Sequence, residues 1–179
     1  MLLKSKDVAY LGVLLGLNQL LIILSSAIET NTIILMAASA LVVGVVIVEF
    51  GGKAGTIFYI ASCILGFFLT FNKVEIITYI CFFGIYSIVK HSIETKIFNK
   101  YISYGTKITA FNISLLSMYM FVRFFISITL TWWMILVAQV LFIVYDHAFT
   151  IFINQYINTI KPKLHRWDSS QNKIVIMRV

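Results

Sequence analysis

Proline, cysteine and acidic side chains are all scarce in this 179-residue chain, and each shortage excludes something. The one proline, Pro162, leaves everything before it without a strong helix breaker. Two cysteines, Cys63 and Cys81, both fall inside apolar stretches; they exclude a disulfide framework and read as small packing residues. Three scattered histidines offer no metal cluster. Charged residues make up only 12% of the chain, with 7 acidic against 14 basic. No HExxH, GxSxG, CxxC or GxGxxG sequence occurs, so neither an enzyme nor a cofactor site is expected. A Walker sequence is missing too, so any ATP-driven work needs another subunit.

Apolar residues are what the chain has in abundance. They make up 60% of it, and the mean hydropathy is +0.96, too apolar for a soluble domain. A helix crosses the roughly 30 Å of bilayer hydrocarbon in about 20 residues. The sequence predicts six such spans: residues 8–28, 32–50, 54–71, 76–89, 108–128 and 132–156, the fourth being the shortest. Strands alternating with period two are not seen, which argues against an outer-membrane barrel. The expectation is an all-α, polytopic bundle with the bilayer as its main partner. It forms one domain, residues 1–162, followed by a basic tail, residues 163–179, held near anionic lipid.

Charge placement predicts the orientation. With the N-terminus inside, twelve of the 14 Lys and Arg fall on the inner side, and only Lys73 and Arg123 on the outer. That bias places both termini in the cytoplasm and the protein in the cell membrane. It also accounts for the +7 net charge without nucleic acid. The first span exceeds a signal-peptide core and lacks a small-x-small cleavage site, so it is expected to be retained. The basic connection 91–107 is expected to be cytoplasmic, with an amphipathic interfacial segment possible within it. Lys90 and Glu94, four apart, make a local ion pair. Glu49 and Lys53 flank the Gly51–Gly52 turn and are placed to neutralise each other.

Inside spans, polar residues carry the information, because each costs energy unless it faces protein or water. In the first span Asn18, Ser25 and Glu29 share one face, while Gly12 and Gly16 form a small-xxx-small surface on another. In the fifth, Asn112, Tyr119, Arg123 and Ser127 share a face. Arg123 either snorkels outward or turns inward toward Glu29 or a bound anion. Trp132 and Trp133 suit an interfacial anchor at the same level. The last span clusters Gln139, Asp146, Thr150 and Asn154. Asp146 lies in the inner half, at a depth that suits Asn112, His91 or Lys90 as partner, whereas Arg123 is too shallow. It is either a helix clamp or a proton or cation site.

This layout of about six spans, with Gly12 and Gly16 in the first, resembles the substrate-binding S components of energy-coupling factor (ECF) transporters. In those bacterial proteins small residues of the first helix, often AxxxA, contact a coupling subunit; here glycine replaces alanine. The resemblance implies capture of a small molecule from outside by Asn18, Ser25, Glu29, Tyr119, Arg123 and Trp132. It also implies a membrane coupling subunit on Gly12 and Gly16, and two ABC-type ATPases. The alternative is a structural or interaction protein similar in size and topology to the MreD cell-shape family, with no transported substrate and polar residues that satisfy one another.

Overall fold

In a computed structural model, the chain is described over residues 5–70, 72–97, 99–123 and 131–162, apart from the side chains of Glu29 and Ile160. The predicted tail, residues 163–179, lies outside the described residues, as do residues 124–130, which hold the end of the fifth predicted span. All regular structure among the described residues is helical, as the composition requires. We number the long helices α1 (Ser5–Ala27), α2 (Thr32–Phe50), α3 (Gly52–Leu69), α4 (Lys73–Lys96), α5 (Lys100–Arg123) and α6 (Trp132–Gln155). A short 3-10 turn, Glu29–Asn31, joins α1 to α2. A π-helical turn, Tyr156–Ile160, extends α6. All except α5 are long and apolar enough to cross a membrane by length and composition; α5 has the length, and its charged and polar first turns lower its hydropathy.

Two helices differ in extent from the sequence reading, and both differences matter. The fourth helix is far longer than residues 76–89. It starts at Lys73, where Asn72 caps it by accepting from the Val74 N–H at 3.2 Å. At its other end it runs past Lys90 and His91 to Lys96, and α5 begins at Lys100, eight residues before the expected start. The basic connection expected over 91–107 is therefore almost entirely helix. Lys90 and Lys107 are enclosed in helix ends at 4% and 5% exposure instead of lying in a solvated loop. The physical reason is that both lysines have carboxylates to turn toward.

α2 is the central helix, with a nearly continuous apolar sequence and contacts to α1, α3, α4 and α6. It ends at Gly51, the one described residue with positive φ (85°), whose N–H closes the last turn on Ile47 O at 2.8 Å. Midway along α4, a π-helical stretch, Tyr79–Gly84, shifts the helical register. Tyr79 is thereby buried with Ile22, Met36, Ala40 and Ile76 among α1 and α2. Tyr86 joins a second, aromatic cluster with Phe111, Phe142 and Phe149. Phe111 of α5 and Phe142 of α6 stack there, with centroids 4.3 Å apart and planes 11° from parallel.

The outside of the bundle is as apolar as the inside. Val13, Leu20, Ile33, Ile34, Ile57, Phe68, Ile113 and Val144 are all exposed by more than half. A soluble monomer does not display so much contiguous hydrocarbon, whereas a lipid-facing bundle must.

Candidate functional site

Four charges and a tyrosine meet where α4, α5 and α6 converge. Tyr86, Lys90 and Glu94 recur every four residues on α4 and so share one face. α5 contributes Lys107, and α6 contributes Asp146 and Thr150. The Lys90 ammonium contacts Asp146 Oδ1 and also donates to Thr150 Oγ1 at 2.8 Å. The Tyr86 hydroxyl donates to the same Oδ1 at 2.5 Å. Lys107 donates to Glu94 Oε1 at 2.6 Å and lies 3.6 Å from Asp146 Oδ1. Lys90 is 3.4 Å from Glu94 Oε1, so the expected i,i+4 pair is part of a larger network.

Burial sets the energetics. Asp146 is 5% exposed, so its desolvation penalty is offset only because several donors converge on it. Two positive and two negative side chains leave no net charge. Of the depth-matched partners expected for Asp146, Lys90 is the one in contact. Asn112 instead accepts from Gln139 at 2.7 Å, tying α5 to α6. His91 turns its ring toward Gly52. Glu49 also has partners other than the expected one. It accepts from the Tyr156 hydroxyl at 3.1 Å and pairs with Lys161 at 4.0 Å rather than with Lys53.

Beside the network lies a cleft of about 90 Å³, lined on one side by Ser87, Lys90, His91, Glu94, Thr150 and Asn154 and on the other by an apolar wall of Gly44, Ile47, Val48, Phe149 and Ile153. Three of the four polar residues picked out on the last span, Asp146, Thr150 and Asn154, thus belong to the network or its cleft. Gln139 does not.

The residues expected to capture a ligand fall into separate places. On α1, Asn18 is wholly enclosed and donates to Ser39 O at 2.8 Å and to the Tyr79 hydroxyl at 3.2 Å. Gln19 donates to Asn18 Oδ1 at 3.3 Å and to Ser62 O at 3.0 Å. Ser25, also buried, donates back to Ile22 O at 2.7 Å and to Glu75 Oε2 at 3.4 Å. The Glu29 side chain lies outside what is described. Tyr119 and Arg123 sit elsewhere, around a largely apolar groove of about 380 Å³ between α5 and α6 and the recess adjoining it. Leu116 and Tyr119 line both. Trp132 is 74% exposed and lines neither.

Gly12 and Gly16 are exposed, and a Cβ built on either meets nothing within 4 Å. Gly44, by contrast, is filled by the Phe149 ring, 2.8 Å from where its Cβ would be, because α2 and α6 cross there.

Sequence reasoning missed Lys107 and Tyr86 as members of the charged site. Tyr86 could have been found from the i,i+4,i+8 series Tyr86–Lys90–Glu94. Lys107 carried no such signal, since its burial depends on α5 starting early. No metal-binding group of His, Cys, Asp and Glu forms among the described residues.

Comparison with known proteins finds no matching family model, curated protein or solved structure.

Proposed function

We propose that this chain is a multi-pass cell-membrane protein acting as the substrate-capture subunit of an ECF-type importer, with both termini cytoplasmic. One observation carries the reading: Gly12 and Gly16 stand open on α1 while Gly44, Gly55, Gly66 and Gly84 are used up by packing within the chain. A small-xxx-small surface that its own protein leaves uncovered is suited to the close approach of another helix. Beside it, an apolar groove runs along α1 and α3 past Leu11, Gly12, Leu15, Ile57 and Ala61 to Lys53. The coupling subunit docks on that surface, and ATPases bound to it drive the loaded bundle between its two orientations. Cargo binds in the α5–α6 groove, where Asn112 and Tyr119 supply polar anchors beside an apolar wall, and Arg123 lines the recess adjoining it.

The test is purification of the tagged protein from native membranes in mild detergent, followed by mass spectrometry of what co-elutes. The importer reading expects a membrane coupling subunit and two ABC-type ATPases, lost when Gly12 and Gly16 are both changed to Leu. Recovery of cell-envelope partners without ATPases contradicts it.

The internal pairing of Asn18, Gln19, Ser39, Ser62 and Tyr79 favours a second reading, the MreD-like scaffold. Polar residues that satisfy one another need no ligand, and such a protein would hold partners through its basic end.

A further inference from the structure

The charged site and its cleft are not absorbed by either reading, and their geometry is asymmetric. Both lysines contact both carboxylates, yet the two carboxylates are held very differently. The Asp146 carboxylate is fixed from two other helices, by Tyr86 and Lys90 of α4 and by Lys107 of α5. Glu94 is held only by the two ammonium groups among the described residues, and its side chain remains 45% exposed. It lines the cleft. A glutamate has the rotamer freedom to swing out from such a position, and the lysines do not. When it does, Lys90, which lines the cleft, and Lys107, which pairs with Glu94 beside it, face one carboxylate, a local excess of one positive charge.

We propose that this cleft is a binding site for a small oxyanion, a carboxylate or phosphate group, which replaces the Glu94 carboxylate on Lys90 and Lys107. The about 90 Å³ of space equals the liquid volume of roughly three waters, enough for such a group. His91 and Asn154 line the cleft and add donors from α4 and α6. Low local dielectric makes charge-assisted hydrogen bonds to an anion stronger here than at the surface. Glu94 then acts as a resident competitor: it neutralises the lysines when no ligand is present and sets the affinity when one arrives. The anion can be free or can be the headgroup of a lipid, because the cleft lies near the ends of α4 and α6, where Lys96 and Lys161 also fall.

The experiment titrates the purified full-length protein in detergent with inorganic phosphate and, separately, acetate, at constant ionic strength, by isothermal calorimetry. Glu94→Gln removes the competitor without removing a lysine and is expected to bind phosphate about tenfold more tightly than the wild type. Lys107→Gln is expected to weaken binding at least tenfold. Asn154→Asp breaks no ion pair, keeps the side-chain size and puts a negative charge in the cleft, so it tests the site even if Lys107→Gln fails to fold; a severalfold loss is expected. Native mass spectrometry with phosphatidylglycerol distinguishes the sources. Lipid binding that inorganic phosphate competes away identifies the headgroup, and phosphate binding with no such lipid competition identifies a free anion. Absence of binding by phosphate, acetate and lipid in both wild type and Glu94→Gln overturns the proposal. So does binding that Asn154→Asp and a folded Lys107→Gln leave unchanged.

Discussion

Asp146 is the residue whose environment most constrains the account. A carboxylate near the middle of an apolar helix is tolerated only with partners, and here Lys90, Lys107 and Tyr86 converge on one of its oxygens. Removing the charge leaves buried Lys90 and Lys107 to share the half-exposed Glu94 carboxylate, so Asp146→Asn is expected to cost about 3–5 kcal/mol. Adding Lys90→Met to the same chain removes the surplus positive charge and is expected to recover much of that loss. A double-mutant cycle measured by denaturant unfolding in mixed micelles checks this through the coupling energy. If the two single losses simply add, the pair is not the clamp described here. Lys90 could be read in advance as a partner because its depth follows from helix rise. Lys107 could not, since a lysine next to apolar sequence looks like an interfacial residue until another helix offers it a carboxylate.

Glycine marks where the helices approach each other and where they do not. Gly44 admits the Phe149 ring between α2 and α6, and a methyl group there would sit 2.8 Å from it. Gly44→Ala is expected to cost about 1–3 kcal/mol through overpacking. Gly12→Ala, which meets nothing within 4 Å in the interior of α1, is expected to leave monomer stability unchanged or raise it by up to about 1 kcal/mol. Thermal unfolding of both variants under one detergent condition checks the contrast. Similar losses for the two would contradict the packing assigned to α1. Most helices were legible from hydropathy, because a run of about 20 apolar residues admits few alternatives. Their charged ends were not. Lys73, Lys96 and Lys100 lower the hydropathy of the flanks, yet those flanks stay helical because capping by Asn72 and ion pairing among Lys90, Glu94 and Lys107 satisfy them. The register shift at Tyr79–Gly84 left no trace in the composition, although it directs Tyr79 and Tyr86 to different clusters.

The molecule as a whole turns hydrocarbon outward, gathers lysines at one end and leaves one small-residue face of α1 bare. The first two features are compositional and were readable from the chain; which residues share a cavity was not, because that depends on how helices far apart in sequence meet. Asn18 and Ser25 lie in the α1–α2–α4 core, whereas Tyr119 borders the α5–α6 groove and Arg123 the recess beside it. The proposed orientation predicts that reporter fusions after Pro162 act only in the cytoplasm, and that reporters in the α1–α2 turn act only outside. The reverse pattern would remove the basis for outside capture. The docking of α1 on another subunit is the central claim, and a photocrosslinking residue placed at Leu20, exposed one turn beyond Gly16 on the same face, tests it most directly in native membranes without filling the small-residue surface. The account predicts a single crosslinked membrane protein from position 20 and none from Val144, which faces outward on α6. Crosslinks to lipid alone at both positions would contradict it.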